Sequence, residues 1–432
     1  MRPDNPFKPT FGVAPPVLVG RDEPLERLRV AMSVGPSHPD STMLISSPRG
    51  LGKTVLLGAM HDIARENGWV VAHVTASPSA TFAGLLTDKM IRARRVRRDK
   101  LSRRRVETAS VGVLGFNVGV GLSDEQTSES LPRLEMFTAM EALAETAEAS
   151  GSGVLVTIDE FHNANVDGAR EFAHNLQELS KLESRPILFV AAGLPVMEDT
   201  VLADSGMTFF QRIARTPIGP LTELETRLAI AEPIRDVGVG IDPYALTEAS
   251  EATSGYPFMV QLVGYHSWEC AQDLANGIDY NDTRIGIDMA NHSMELQVLR
   301  PVWRDLSDGD QEVLAAMSLL EGPEVRQRDI ADMLGKKPNN INVYVSRLVD
   351  AGVLTRLPKG RTTFVHEAMR RWVRSHQQHL IRSPTLSEVS SKKLLREQIT
   401  DAHHKHPNAT HKAIADLVGA HPSYVGRVRR EL

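Results

Sequence analysis

Residues 42–54 read TMLISSPRGLGKT, and this stretch restricts the fold more than any other part of the chain. The apolar run predicts a buried strand, Gly50 and Gly52 predict a tight turn, and Lys53-Thr54 opens a helical pattern. Glycines let successive backbone N–H groups point at one anion, and the N-terminus of the next helix adds partial positive charge. The stretch therefore predicts a phosphate-binding loop between a strand and a helix.

Each residue of this loop has an expected role. Lys53 would reach the β- and γ-phosphates of a nucleotide, and the Thr54 hydroxyl would hold Mg²⁺. The pattern G-x-x-x-x-G-K-[ST] begins with glycine, whereas this chain has Ser47, a small residue that still fits a tight turn. The residues predicted to bind the nucleotide here are Ser47, Pro48, Arg49, Gly50, Leu51, Gly52, Lys53 and Thr54.

A second apolar run, residues 154–160, ends in the two carboxylates Asp159 and Glu160. Asp159 at this position would bind the cofactor by holding Mg²⁺ through water, and Glu160 would polarise the attacking water as the catalytic base. The alternative is a buried strand followed by a solvated acidic turn. Together with the loop, the run predicts a site for ATP and Mg²⁺.

The composition limits the class of protein. A length of 432 residues predicts two to three domains, and 41% hydrophobic residues are enough for real cores. The formal net charge of −5 means that any nucleic-acid contact must come from a local basic patch. Cys270 is the only cysteine, which excludes an internal disulfide and fits a reducing cytoplasm. No signal peptide or bilayer-spanning run is recognised, so a cytoplasmic protein without membrane contact is expected.

Strands alternate with helices from residue 42 to about 220, a pattern that predicts an α/β fold with a parallel sheet covered on both faces. Strands are expected at 42–46, 69–74, 153–158, 187–192 and 214–218. Helices are expected at 53–66, 79–98, 131–149, 167–183 and 222–236. The core domain is assigned to residues 1–221, and a helical lid to 222–304.

An insertion at 91–130 interrupts this alternation. It begins with an arginine-rich run over 92–105 and continues as the alternating pattern 111–120, which together predict a helix extension followed by a β-hairpin. The arginines are interpreted either as a solvated face or as a contact with a phosphate backbone or an acidic partner. His61, His162 and His174 have no partner at metal-ligand spacing and are interpreted as ordinary histidines.

Two further modules follow the lid. Residues 305–380 read as helix, helix, turn, helix and two short strands, which predicts a winged helix. Residues 391–432 repeat the helix-turn-helix without a wing and carry a local excess of Lys and Arg. Protein docking is the alternative for either module. The residues predicted to contact DNA are Asn340, Asn342, Tyr344, Arg347, Lys359, Arg361, Ser423, Tyr424, Arg427 and Arg430.

The order of these motifs resembles AAA+ and STAND-like ATPases with a C-terminal winged helix, close in layout to archaeal origin-recognition ATPases. The resemblance covers about residues 10–375. It implies that Gly20 and Arg21 lie on the adenine side of the nucleotide, and that Arg212 is a catalytic arginine finger, with Arg215 as the competing choice. Gly193 stands where such proteins carry a polar sensor residue, which leaves that role unassigned.

The sequence thus predicts an ATP-hydrolysing switch that couples its nucleotide state to binding of double-stranded DNA. Completion of the site by an arginine from a neighbouring subunit would make hydrolysis depend on a homo-oligomer. The rival hypothesis is a weakly hydrolysing regulatory protein that docks a partner protein through its winged helix. A processive helicase is weaker still, because no set of helicase motifs follows Asp159 and Glu160.

Overall fold

The computed structural model describes residues 2–10, 12–77, 82–110, 136–182, 184–198, 201–204 and 208–380, together with 395–396, 398–403, 405–407 and 409–431. The chain divides into two compact units, Met1–Ile287 and Asp288–Leu432. The division falls inside a helix, Tyr280–Met294. It therefore lies before residue 304, where the sequence pattern places the end of the lid.

The first unit contains one parallel sheet and most of the long helices. Its strands are β1 Thr42–Ser46, β2 Val70–Thr75, β3 Val154–Asp159, β4 Ile187–Gly193 and β5 Ala214–Pro217. Its helices are α1 Asp22–Val34, α2 Lys53–Glu66, α3 Phe82–Ser110, α4 Met136–Glu148, α5 Val166–Leu176, α6 Thr208–Gln211, α7 Glu223–Asp236, α8 Pro243–Thr253, α9 Pro257–Cys270 and α10 Tyr280–Met294, the last of which crosses into the second unit.

The five strands pair in the order β2-β3-β4-β1-β5, and every pair is parallel. All five predicted strands are confirmed, with ends that differ by no more than one residue. The prediction succeeds because β3 and β4 are buried along their whole length, so their sequences are continuous apolar runs rather than alternating ones. The α/β parallel-sheet fold predicted from the sequence is therefore present.

The sheet is covered on both faces, and alternate residues of each strand serve opposite faces. On one face Leu44 and Val156 pack in a cluster with Phe172 and with α3, α4 and α5. On the other face Ile45 and Leu155 pack with side chains of α1 and α2. Because helices pack on both faces, the strands are held in place, and the loops at their carboxyl ends begin from fixed positions.

The insertion after β2 begins as the predicted helix extension. Helix α3 continues to Ser110, well beyond the predicted end at residue 98. Arg94 donates to the Thr146 hydroxyl at 3.3 Å, and Arg97 donates to the Ser150 hydroxyl at 2.7 Å, so both turn toward α4. Exposed arginines on the same helix are Arg92, Arg95 and Arg98. The predicted hairpin, 111–120, lies outside the described residues.

Two of the helices that follow the sheet, α7 and α8, begin at side-chain caps. Thr222 and Glu225 form a capping box at the start of α7, and the Asp242 carboxylate accepts from two backbone N–H groups of α8. The N-terminal segment lies against α9, where Phe7 fills the space beside Gly264. A Cβ on Gly264 would come within 2.3 Å of the Phe7 ring, so a glycine is required there.

The second unit contains a small sheet between helices. Its helices are α11 Arg300–Asp305, α12 Asp308–Leu319, α13 Gln327–Leu334, α14 Pro338–Asp350, α15 Glu367–Leu380, α16 His411–Val418 and α17 Pro422–Glu431. Its strands are β6 Glu324–Arg326, β7 Leu354–Leu357 and β8 Arg361–Phe364, antiparallel in the order β6-β8-β7. Strand β6 is a short element that the sequence pattern does not predict.

The last helices of the chain have their own small core, made by Ile414 of α16, Val425 and Val428 of α17 and the preceding Ile399. Gly419 ends α16 in a left-handed conformation, with φ of 66°. Among the described residues, no helix combines the length and apolarity needed to cross a bilayer.

The buried His61 of α2 and the half-buried His73 of β2 share one hydroxyl. The Thr157 hydroxyl of β3 lies 2.7 Å from Nε2 of His61 and 2.9 Å from Nδ1 of His73. Burial, with the neighbouring His73, lowers the pKa of His61 to about 4. His61 is therefore neutral in the folded chain at pH 7, and the sequence pattern does not indicate its burial or its contact with Thr157.

The buried His61 should make the protein less stable in mild acid. In the unfolded chain it gains a proton near pH 6.5, whereas in the folded chain it does so only near pH 4, so stability is lost as the pH falls between these values. The loss from this group approaches about 1.4 kcal/mol per pH unit. We expect His61→Gln to reduce the fall in melting temperature between pH 7 and pH 5, measured by circular dichroism.

His174 provides the matched control, because it is exposed on α5 of the same unit. His174→Gln should show the same pH dependence as the original chain. An equal loss of stability in His61→Gln and in the original chain would show that His61 does not stay neutral on folding.

Candidate functional site

The loop after β1 is held at the carboxyl edge of the sheet. The Ser47 N–H donates to the carbonyl of Gly193 at the end of β4, at 3.2 Å. The Lys53 ammonium donates to the carbonyls of Ser47 and Pro48, both at 2.8 Å. Burial lowers the pKa of Lys53 to about 8, against the raising effect of Glu160 and Asp159. The loop therefore holds a nearly desolvated cation at the N-terminus of α2, the arrangement that attracts phosphate.

The predicted residue pair Thr54 and Asp159 meets across the sheet edge. The Thr54 hydroxyl donates to Oδ2 of Asp159 at 2.7 Å, although the two residues are 105 positions apart in the chain. They meet because the carboxyl ends of β1 and β3 lie at the same edge of a parallel sheet. A hydroxyl and a carboxylate in contact supply two oxygen ligands of the kind that Mg²⁺ prefers.

Glu160 lies directly after β3 in a left-handed backbone conformation, with φ of 52° and ψ of 38°. Such a conformation is costly for a residue with a side chain and is often found at functional sites. Its N–H donates to Oδ1 of Asp159 at 2.8 Å. Burial, assisted by the Asp159 charge, raises the pKa of the Glu160 carboxyl, while Lys53 and Arg49 act against this rise. A raised pKa suits a carboxylate that must accept a proton near neutral pH.

His162 lies beside Glu160, in a contact that the sequence pattern does not predict. Its Nε2 is 3.3 Å from Oε2 of Glu160, and its Nδ1 accepts from the Leu194 N–H at 3.4 Å. The intervening residues form the short 3-10 turn Phe161–Asn163, which folds the chain back on itself. The only sequence signal is the position of a histidine two residues after the carboxylate, which is too common to indicate this contact.

A cavity of about 440 Å³ opens over the loop within the first unit. Its polar end contains Arg49, Lys53, Thr54 and Glu160. The other end is largely apolar and is lined by the N-terminal segment and by the helices after the sheet. Residues at that end include Val13, Pro15, Val17, Leu18, Val19, Leu221, Ala229, Pro257, Phe258 and Val260. A cavity with one cationic end and one apolar end matches a ligand that carries phosphates and a flat ring.

Arg21 is built into the fold by contacts with three backbone carbonyls. Its guanidinium donates to the carbonyls of Gly20 at 2.7 Å, Leu51 at 3.1 Å and Gly219 at 3.0 Å. Burial lowers the pKa of this guanidinium, and Glu225 partly offsets the effect. Arg21 thus joins the segment before α1 to the phosphate loop and to the chain after β5. It borders the cavity, but its donors are used to hold the cavity walls together.

Gly50 in the loop lies against Tyr256, the residue before helix α9. Its φ is +77°, and a Cβ added to it would come within 1.9 Å of the Tyr256 hydroxyl oxygen. Tyr256 is almost fully buried, and burial raises the pKa of its hydroxyl. Both the backbone conformation and the contact therefore demand glycine at this position.

We expect Gly50→Ala to weaken nucleotide binding and to lower the melting temperature, because the new methyl group must displace Tyr256 or the loop. Strain of this kind costs about 1–3 kcal/mol. Gly58→Ala is the matched control, since a Cβ at Gly58 meets nothing within 4 Å. Titration with a fluorescent ATP analogue and a melting curve test both variants, and equal behaviour of the two would contradict the close contact.

The two arginines considered for the finger differ in their contacts. Arg215 lies 2.9 Å from Glu198 and also donates to the carbonyls of Gln211 and Ile213, at 2.8 and 2.9 Å. Arg212 is exposed, and its side chain has no hydrogen bond or ion pair among the described residues. Both arginines are exposed, and Arg212 is the one whose side chain is not engaged by other described residues.

The predicted DNA-contacting residues of the second unit are partly engaged within it. Arg347 pairs with Asp310 at 2.8 Å and lies over the Tyr344 ring, and Arg361 pairs with Glu324 at 2.8 Å. In contrast, three of the predicted residues have exposed side chains, namely Asn340, Asn342 and Lys359. Residues 423, 424, 427 and 430 belong to α17, but their side chains lie outside the described residues.

The parallel sheet order and the loop between β1 and α2 form a P-loop α/β fold. Residues 17–190 match the family model described as AAA ATPase domain. Residues 296–373 match a model described as a domain of unknown function, DUF8462. No curated protein sequence matches the chain.

Solved structures with a similar fold include the Walker-type ATPase PABY2304 of Pyrococcus abyssi. It is 16% identical over 83% of this chain and 96% of its own, with a TM-score of 0.56. The ORC2 protein of Aeropyrum pernix, solved as ADPNP–ADP complexes, is 15% identical over 90% of this chain and 97% of its own, with a TM-score of 0.51. Residues 17–190 thus match the AAA ATPase domain model, and the fold of the chain is similar to the folds of these two solved proteins.

Proposed function

We propose that this protein is an ATP-hydrolysing molecular switch whose nucleotide state controls binding of double-stranded DNA by its C-terminal modules. The observation that carries the proposal is the meeting of Lys53, Thr54, Asp159 and Glu160 at one edge of the sheet, where Lys53, Thr54 and Glu160 also line the cavity. These four side chains supply the phosphate contact, the metal ligands and the base that phosphoryl transfer to water requires.

The residues present fit ATP with Mg²⁺. Lys53 and the N-terminus of α2 would hold the β- and γ-phosphates, and the apolar end of the cavity would take the adenine. Thr54 and Asp159 would hold the metal, which supplies charge neutralisation of the phosphates when bound. Among the described residues no group of three His, Cys, Asp or Glu side chains could hold a metal alone. This fits Mg²⁺, which commonly takes most of its ligands from phosphates and water.

Glu160 would orient and deprotonate the attacking water, which its raised pKa and its position on the cavity wall favour. Arg49 also lines the polar end and has no hydrogen bond or ion pair among the described residues, so it is free to contact the phosphates. Arg212 is proposed to act on a neighbouring subunit, as its exposed and unengaged side chain allows. Hydrolysis would then depend on assembly into a homo-oligomer.

DNA binding is assigned to the second unit. In support of this, helix α12, strand β6, helices α13 and α14, and strands β7 and β8 follow one another in the order expected of a winged helix-turn-helix. In this proposal α14 is the recognition helix, and Asn340 and Asn342 on its exposed face would contact DNA. Lys359, exposed in the turn between β7 and β8, would contact a phosphate. Helices α16 and α17 would form a second helix-turn-helix.

One observation favours the rival function, a regulatory protein that docks a partner protein through this unit. Arg347 and Arg361, two cations that would otherwise bind phosphates or guanine, are paired with Asp310 and Glu324 of their own unit. Paired cations contribute less to a polyanion contact, because the pair must be broken before the arginine can bind.

Deletion of residues 391–432 is expected to weaken DNA binding and to leave basal ATP hydrolysis nearly unchanged. The deleted segment has more Lys and Arg than Asp and Glu, whereas every predicted hydrolytic residue lies in the first unit. For the intact chain, log K should fall with log salt with a slope of about −0.9 for each phosphate neutralised. Gel-shift titrations of both forms at several salt concentrations measure this effect.

The double variant Arg427→Ala with Arg430→Ala tests the proposed contact without truncation. Its control is Arg29→Ala with Arg65→Ala, which removes equal charge from exposed positions in the first unit. Loss of affinity only in the α17 variant would support the assignment. Failure of the intact chain to bind DNA at low salt would instead favour protein docking.

A further inference from the structure

We infer that His162 is a positioning residue that holds the Glu160 carboxylate in place for the water molecule, an inference that rests on the proposed function. Its ring stands between the candidate base and the end of strand β4. The Nε2 atom is 3.3 Å from Oε2 of Glu160, and the Nδ1 atom accepts from the Leu194 N–H at 3.4 Å. One side chain therefore connects the base to the backbone of the central sheet.

The two contacts determine which ring nitrogen carries the proton. Since Nδ1 accepts from a backbone N–H, the proton of a neutral ring belongs on Nε2, where it points toward the carboxylate. Burial and the charges of Arg49 and Lys53 lower the pKa of His162 to about 4, against the opposite effect of Asp159. The ring is thus neutral at pH 7, and it acts as a fixed donor rather than as an acid or a base.

The chain is built to bring this ring to the carboxylate. The left-handed conformation of Glu160 and the 3-10 turn after it reverse the chain, so that residue 162 faces residue 160. The end of β4 allows the turn to approach closely because residue 193 is glycine. A Cβ on Gly193 would lie 3.3 Å from the His162 backbone nitrogen and 2.8 Å from the Met197 sulfur.

The same end of β4 also holds the phosphate loop. The carbonyl of Gly193 accepts from the Ser47 N–H at 3.2 Å, and the next residue, Leu194, donates to His162. The loop and the base are thus both held by one peptide group, the one that joins Gly193 to Leu194 at the end of β4. A side chain that fixes the carboxylate relative to this strand also fixes it relative to the phosphates that the loop is proposed to hold.

Nitrogen NMR of the imidazole rings tests the inference on the nucleotide-free protein. At pH 7 the His162 ring should be neutral, with a protonated Nε2 and an unprotonated Nδ1, and its signals are assigned by their loss in His162→Gln. A ring protonated on Nδ1, or on both nitrogens, would overturn the inference, because neither form can accept from Leu194.

Steady-state kinetics provide the second test. His162→Phe keeps a ring but has no N–H donor, and it should lower kcat about 10- to 100-fold, the cost of a base displaced by about 1 Å. The KM for ATP and the affinity for a fluorescent ATP analogue should change by less than about twofold. His162→Gln, whose amide can donate to Glu160, should recover most of the rate. His162→Ala replaces the Phe variant if melting curves show that the latter does not fold.

Two further variants distinguish a failure of this inference from a failure of the proposed function. In Glu160→Gln, the change His162→Phe should cause no further loss, since a positioning residue acts only through the base. His174→Gln, an exposed change on α5, should leave the rate unaltered. Full turnover by Glu160→Gln would overturn the proposed base and this inference together. Loss of turnover in Glu160→Gln with wild-type turnover in His162→Phe would overturn the inference alone.

Discussion

Replacement of Glu160 by Gln is expected to lower ATP turnover by about 10²–10⁴-fold while ATP remains bound. The amide keeps the size and the hydrogen-bonding shape of the carboxylate, but it cannot accept the proton of the attacking water. Its carbonyl oxygen can still face Nε2 of His162, which lies 3.3 Å from the native carboxylate, so the local geometry should persist. Phosphate release measures turnover, and a fluorescent ATP analogue measures binding.

A neighbouring carboxylate provides the comparison for this variant. Asp159→Asn should weaken the metal-dependent binding of ATP as well as turnover, since Asp159 contacts the Thr54 hydroxyl at 2.7 Å and is a proposed metal ligand. The role of base and the role of metal ligand would be separated if Glu160→Gln changes kcat alone and Asp159→Asn changes both kcat and the affinity for ATP. Normal turnover by Glu160→Gln would mean that another group activates water.

Lys53→Ala should abolish tight ATP binding. A charge-assisted hydrogen bond of this kind contributes about 1.5–3 kcal/mol, so removal of each one should weaken affinity by about 10- to 150-fold. The desolvated ammonium also donates to the carbonyls of Ser47 and Pro48, so its removal leaves the loop without its internal link. The loss of the phosphate contact and the loss of the internal link both weaken ATP binding.

The control for this change is Lys89→Ala, which removes an exposed lysine from α3. Melting curves of the nucleotide-free proteins show how much of the effect comes from the loop itself. Lys53→Arg adds a further comparison, because a planar guanidinium does not replace a compact ammonium in a tight loop. ATP affinity of Lys53→Ala equal to that of the Lys89 variant would mean that the phosphates bind elsewhere.

The sequence predicts the elements of the first unit well because their patterns are local. Buried strands of a parallel sheet are continuous apolar runs, and each of the five begins and ends within one residue of its predicted position. The contact between Thr54 and Asp159 also follows, since the carboxyl ends of parallel strands meet at one edge. A pattern of residue types is sufficient to predict a contact wherever the backbone geometry alone determines where the two residues lie.

Roles that depend on contacts between side chains of distant segments could not be predicted from local sequence patterns. Arg21 holds the carbonyl of Gly219 across 198 positions of sequence, and Arg347 pairs with Asp310 across 37. The sequence indicates neither partner, because any carbonyl or carboxylate brought close by the fold could have served. Likewise, the engagement of Arg215 by Glu198, which distinguishes it from Arg212, follows from packing.

The loop after β1, the two carboxylates and each strand of the parallel sheet were thus determined by the sequence itself, because each is encoded within a few consecutive residues. The contact of His162 with Glu160 and the fit of Tyr256 against Gly50 were decided only by the tertiary structure. The first depends on a left-handed turn at a residue that is not glycine, and the second on where a helix after the sheet meets the loop. Both are distances of a few ångströms between separately formed elements, and such distances are set by packing of the whole unit rather than by any local pattern.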